Sequence, residues 1–211
     1  MRLSRTPVVV AIVTVFAASP LLAQGQGRRG GFGEGIRLRV LELSQVQDEL
    51  KLSDDQKVEA RKAGESLQGL FAGLQNLSQE ERQQKMQEIQ AKTRAAIEQV
   101  NKVLSKEQNE RLDQIVLQAR GAGALSDEKV AADLKITDAQ RQKLQEIQQQ
   151  TMQQFRDAQG DQGKIAEIRK TSREQSLAAL TEEQRQQFEK MQGAKIDLPA
   201  NFGFGGRRPQ Q

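Results

Sequence analysis

The chain has no cysteine, no histidine, no tryptophan and no tyrosine, and only four prolines in 211 residues. Without cysteine there is no disulfide framework, so stability must come from packing. Without histidine or cysteine there is no Ser-His, Cys-His or imidazole acid–base arrangement, and we expect no enzyme and no catalytic residue. Transition-metal sites lean on the same two residue types, and the Asp-x-Asp-x-Asp-Gly loop of hard-cation sites does not occur, so no metal ligand and no cofactor is assigned. The adjacent acids Asp54-Asp55, Glu80-Glu81 and Glu182-Glu183 point in different directions on a helix and read as first-turn partners of the helix dipole. Seven phenylalanines are the only aromatics, which implies a thin aliphatic core.

Acidic residues are absent before Gln24. That stretch has a basic start (Arg2, Arg5), an apolar run from Pro7 to Ala18 and small residues up to Ala23, the plan of a secretory signal peptide cleaved after residue 23. The run is too short to span a bilayer and is followed by Pro20, so no stable membrane insertion is expected. Removing residues 1–23 leaves two more basic than acidic residues. So small an excess gives no electrostatic signature for nucleic acid.

What is there is helix-forming sequence. No proline lies between Arg37 and Ala194, and apolar or small residues recur three or four apart: Ala60, Ala63, Leu67, Leu70, Leu74; Met86, Ile89, Thr93, Ala96, Val100, Val103; Leu144, Ile147, Thr151, Phe155, Ala158; Ile165, Ile168, Ser172. Short breaks at residues 75–78 and 159–163 predict two hairpins, and residues 121–124 divide the halves, with Gly121 ending the preceding helix. The expected architecture is all-α: a tandem pair of long antiparallel helical hairpins with short flanking helices, extended or curved, between flexible glycine-rich ends. Its segments are 24–36 (glycine-rich, flexible), 37–120 (first unit), 125–194 (second unit) and 195–211 (flexible Gly/Arg tail).

A short pattern starts the helices. It reads Leu52-Ser53-Asp54-Asp55-Gln56, Leu104-Ser105-Lys106-Glu107-Gln108, Ile136-Thr137-Asp138-Ala139-Gln140 and Leu180-Thr181-Glu182-Glu183-Gln184. Each is a capping box: the Ser or Thr hydroxyl accepts from a backbone amide of the new helix and the Gln three residues on reaches back to the cap. Leu43-Ser44-Gln45-Val46-Gln47 reads as a fifth copy, and degenerate copies at Ser78 and Ser126 mark two further helix starts. Matching residues follow each box, such as Ala60, Leu112, Leu144 and Phe188 seven positions after the cap, which indicates a duplicated unit.

Paired motifs of this kind in an exported helical chain resemble the Spy/CpxP family of periplasmic proteins, over residues 37–194. The stretches at residues 134–144 and 180–188 carry the resemblance most closely. It implies a periplasmic, ATP-independent holding chaperone that binds unfolded or stressed envelope proteins. Some members instead sense metals, a branch disfavoured here by the missing histidine and cysteine. Two units in one chain depart from the family plan, so the chain is expected to be either a monomer whose halves form an internal pseudo-dimer or a homodimer. The alternative is a non-catalytic scaffold or regulator docking one specific envelope partner.

Apolar residues beside the main stripes, Phe71, Leu117, Met152 and Leu177, are the candidate client contacts if they stay exposed.

Overall fold

The computed structural model describes residues 31–199, and the expected signal peptide, residues 24–30 and residues 200–211 lie outside them. The described residues form nine α-helices and no strand: α1 (Gly31–Leu41), α2 (Ser44–Glu49), α3 (Asp54–Glu65), α4 (Gln79–Val103), α5 (Lys106–Arg120), α6 (Glu128–Asp133), α7 (Asp138–Asp157), α8 (Gln162–Ala178) and α9 (Glu182–Gln192). The fold is all-α. None of these helices is long and apolar enough to cross a membrane. In each half a long pair packs together, α3 on α4 and α7 on α8.

Two separate cores divide the chain. The first gathers Leu38, Val40, Leu41, Val46, Val100, Leu104, Leu112 and Ile115 with smaller neighbours. The second gathers Leu125, Val130, Leu134, Ile136, Leu144, Leu180 and Phe188. Equivalent positions are filled twice, with Leu41 and Leu125, Val46 and Val130, Leu50 and Leu134, and Leu112 and Phe188 all buried.

Backbone geometry repeats as closely. α2 and α6 both end in a Schellman turn: Lys51 N–H bonds Asp48 O (3.1 Å) and Leu52 N–H bonds Gln47 O (3.0 Å), while Lys135 N–H bonds Ala132 O (3.0 Å) and Ile136 N–H bonds Ala131 O (2.9 Å). The turning residue is a lysine at positive φ in each, Lys51 at 50° and Lys135 at 52°. An L-residue there is strained where glycine is not. Lys135→Gly is therefore expected to raise the unfolding free energy by about 0.5–1 kcal/mol, read as a higher midpoint in urea at an unchanged slope.

The join between the units is not a plain divider. α5 packs against α1 on one side and α9 on the other, and its Leu117 belongs to the second core. The 3₁₀ segment Gly121–Ser126 buries Ala124 and Leu125 and packs on α7 and α8. In the first unit α1 packs likewise on α3 and α4. The end of α5 with this 3₁₀ segment thus plays for the second unit the part α1 plays for the first. α1 packs on α3, α4 and α5, and the core it shares with α3 takes only the small Ala60 and Ala63 from that helix, where α7 carries the larger Leu144 and Ile147.

Several expectations are corrected. Residues 31–36 are not a flexible glycine-rich segment: α1 starts at Gly31, and burying Ile36, Leu38, Val40 and Leu41 offsets the helix cost of its glycines, about 1 kcal/mol each. Residues 195–199 are not a free tail, since Ile196 and Leu198 pack on the first core. The first break spans residues 66–78 rather than 75–78, because α3 stops at Glu65. Leu67, Leu70 and Leu74 therefore lie beyond it, in a segment where Gly69 and Gly73 turn the chain at positive φ. The second hairpin turn, at Gln159 and Gly160, is as tight as expected.

Candidate functional site

The four main boxes form as the sequence requires. Ser53, Ser105, Thr137 and Thr181 each accept from the backbone amide three residues on, and Gln56, Gln108, Gln140 and Gln184 each accept from the cap N–H. Ser78 makes the same box with Glu81, and its hydroxyl and amide hold that carboxyl below its ordinary pKa. Two copies do not cap. Ser44 is the first residue of α2, whose N-cap Leu43 has no side-chain bond, and Gln47 donates instead to Leu41 O at 2.7 Å. Near Ser126 the cap is Asp127, whose Oδ1 accepts from Lys129 and Val130 amides; a carboxylate at the helix N-terminus outcompetes the hydroxyl beside it.

Long-range geometry gives the boxes a second role. Gln56 and Gln108, 52 residues apart, face each other: Gln56 Nε2 donates to Gln108 Oε1 at 2.8 Å and Gln108 Nε2 donates back to Gln56 Oε1 at 3.1 Å. The remaining amide hydrogens reach main chain, from Gln56 to Val103 O (2.8 Å) and from Gln108 to Leu50 O (3.0 Å). The second unit repeats every bond. Gln140 donates to Gln184 Oε1 (2.6 Å) and Ala179 O (2.9 Å), and Gln184 to Gln140 Oε1 (3.1 Å) and Leu134 O (3.0 Å). Each side chain thus uses both donors and both lone pairs of its amide. One pair ties two helix starts to two helix ends, which is an architectural and not a chemical device.

The acids beside the caps serve the helix starts. Glu107 and Glu183 are held below the ordinary carboxylate range, first by their own backbone amides and then by the Ser105 and Thr181 hydroxyls. Among the described residues no three Asp or Glu side chains are grouped so as to hold a metal ion.

The four candidate client contacts separate into two kinds. Phe71 and Met152 are exposed, at 52% and 54%. Leu117 and Leu177 are not: both are half-buried against the second core, because α5 and α8 each supply a residue to the packing around Phe188 and Leu125. Phe71 lies between the two positive-φ glycines of residues 66–78, in a segment with little local structure to cover it. The sequence reading missed Val58 and placed Val103 in the stripe, yet both are exposed. A five-residue step from the Ser53 cap, off the three-and-four pattern, was the available signal for Val58.

Comparison of the chain with protein-family models, with curated proteins and with solved structures finds no match.

Proposed function

We propose that the protein is an exported, non-catalytic holding chaperone of the Spy/CpxP kind, which binds unfolded or stressed envelope proteins without a nucleotide or other cofactor. The motif that carries the resemblance supports this reading most. It occurs twice per unit, and its glutamines lock the helix ends in pairs. Apolar side chains such as Phe71 and Met152 stand at the surface, where an unfolded chain can bury apolar area against them.

The test is light scattering of two unrelated denatured proteins diluted into buffer with and without the full chain, with no nucleotide present. Suppression of both at near-equimolar ratio is expected. Phe71→Ser with Met152→Ser should raise the ratio needed for half-suppression roughly threefold, since half-exposed side chains contribute contact area but little stability. No suppression of either protein, with the helical spectrum intact, would replace this reading with a scaffold or regulator docking one partner.

A further inference from the structure

After α9 the chain does not leave the molecule. Gly193, at φ 63°, turns it back, and residues 194–199 run outside any helix across α5 of the first unit toward α2. The passage is close: a Cβ on Gly193 would lie 2.1 Å from Gln114 Oε1 and 3.1 Å from Arg111 Nη1.

How this strap is held is unusual. Gln118 Nε2 donates to Gln192 O and Ala194 O, both at 2.7 Å, and Gln118 Oε1 accepts from Ile196 N–H at 3.0 Å. Arg111 Nη2 donates to Ala194 O at 2.8 Å, and Gln45 Nε2 to Asp197 O at 3.3 Å. Apart from the bond to Gln192, the last residue of α9, each of these ends on the strap's main chain. Ile196 and Leu198 lie half-buried on the first core, while Lys195 and Asp197 point to solvent. That is the period of an extended segment. Main-chain bonds supply affinity, alternate apolar side chains supply fit, and no bond reads a particular side chain.

We propose that the surface between α2 and α5 is a binding site for extended peptide segments with apolar side chains two residues apart, filled in cis by residues 195–198 as a displaceable stand-in. A folded protein has most of its backbone groups paired and offers few such segments. An unfolded one offers free N–H and C=O groups with such side chains in any sequence. The proposal rests on the holding reading and names one of its contact surfaces. Tethering gives the strap a high effective concentration, so an incoming chain must compete with it, and its apparent affinity falls by the fraction of time the site is free.

The experiment uses the full chain and a labelled peptide Ala-Thr-Ile-Asp-Leu-Pro followed by fluorescence anisotropy. Ile196→Ser with Leu198→Ser should release the strap and tighten peptide binding about tenfold or more. Adding Gln118→Ala should take most of that gain away. A peptide with serine in place of Ile and Leu should not bind. No gain on release, or a gain indifferent to Gln118→Ala, overturns the proposal. The unmutated chain gives a second readout. Saturating unlabelled peptide should speed trypsin cleavage after Lys195 about threefold by exposing the strap, and an unchanged rate also overturns it. Peptide capture without aggregation suppression would keep the site and sink the holding reading. Suppression without peptide capture would do the reverse.

Discussion

Gln140→Glu is expected to destabilise the second unit by about 2–3 kcal/mol at neutral pH, although both residues cap a helix equally well. The capping bond survives, because a carboxylate oxygen still accepts from Thr137 N–H, which now lies 3.0 Å from Gln140 Oε1. What is lost is donation. Gln140 Nε2 sits 2.6 Å from Gln184 Oε1 and 2.9 Å from Ala179 O, and a carboxylate oxygen there faces two acceptors with no hydrogen between them. Half-burial of Gln140 keeps water from fully repairing the loss. The loss should depend on pH. One oxygen of the introduced Glu keeps the Thr137 N–H and Gln184 Nε2 donors, but the other lies against Gln184 Oε1 and Ala179 O, and this close repulsion raises its folded-state pKa above the unfolded value of about 4.3. The protonated acid can donate as the amide does, so the stability is present below the unfolded pKa and is lost as pH rises through the folded one. Thermal melts of the variant and the wild type should therefore converge on going from pH 7 toward pH 4. A variant equally weakened at both pH values would show that the lost donation is not the cause. Gln56→Glu and Gln108→Glu should behave alike in the first unit.

The glutamine pairs separate what the sequence discloses from what it conceals. A capping box joins residues three apart, so the starts of α3, α4, α5, α7 and α9 were legible at Ser53, Ser78, Ser105, Thr137 and Thr181. The pairing of Gln56 with Gln108 joins residues 52 apart, and local spacing cannot report it. One signal was available. A box accepts Glu or Gln, yet the four main copies all carry Gln, whereas the purely local box at Ser78 carries Glu81. A position that refuses the carboxylate is using its N–H groups. α1 was hidden for a different reason, because its glycines read as a linker and its burial comes from partners on α3, α4 and α5. Ile196 and Leu198 make too short an alternation to be told from chance. For Leu117 and Leu177 the sequence located apolar side chains beside the stripes but not what covers them: Leu117 packs on the core of the neighbouring unit and Leu177 on that of its own, and neither partner is written in the period of the helix that carries the residue.

The separateness of the two cores leads to the largest expected effect. Phe188 is the largest side chain of the second core and is 2% exposed, where the first unit has Leu112. The same core includes Ala124 and Ala131, whose small side chains cannot close the space a truncated ring leaves. Phe188→Ala is therefore expected to cost about 3–5 kcal/mol, a transfer loss plus a cavity. A core this thin has only a few kcal/mol in hand, so α6–α9 should melt first while the first core, anchored by α1 and by Arg37 bonded to Asn101, Asn109 and Asp113, stays folded. Circular dichroism on heating should then show two transitions in place of one, with α5 retained in the earlier plateau because α1 grips its other face. A single transition shifted down as a whole would mean that α5 and the strap over it couple the units into one cooperative block, and Leu112→Ala should then give the same shape of curve. If the units melt separately, Leu112→Ala should instead lower the first unit and release the strap, whose Ile196 and Leu198 rest on that core.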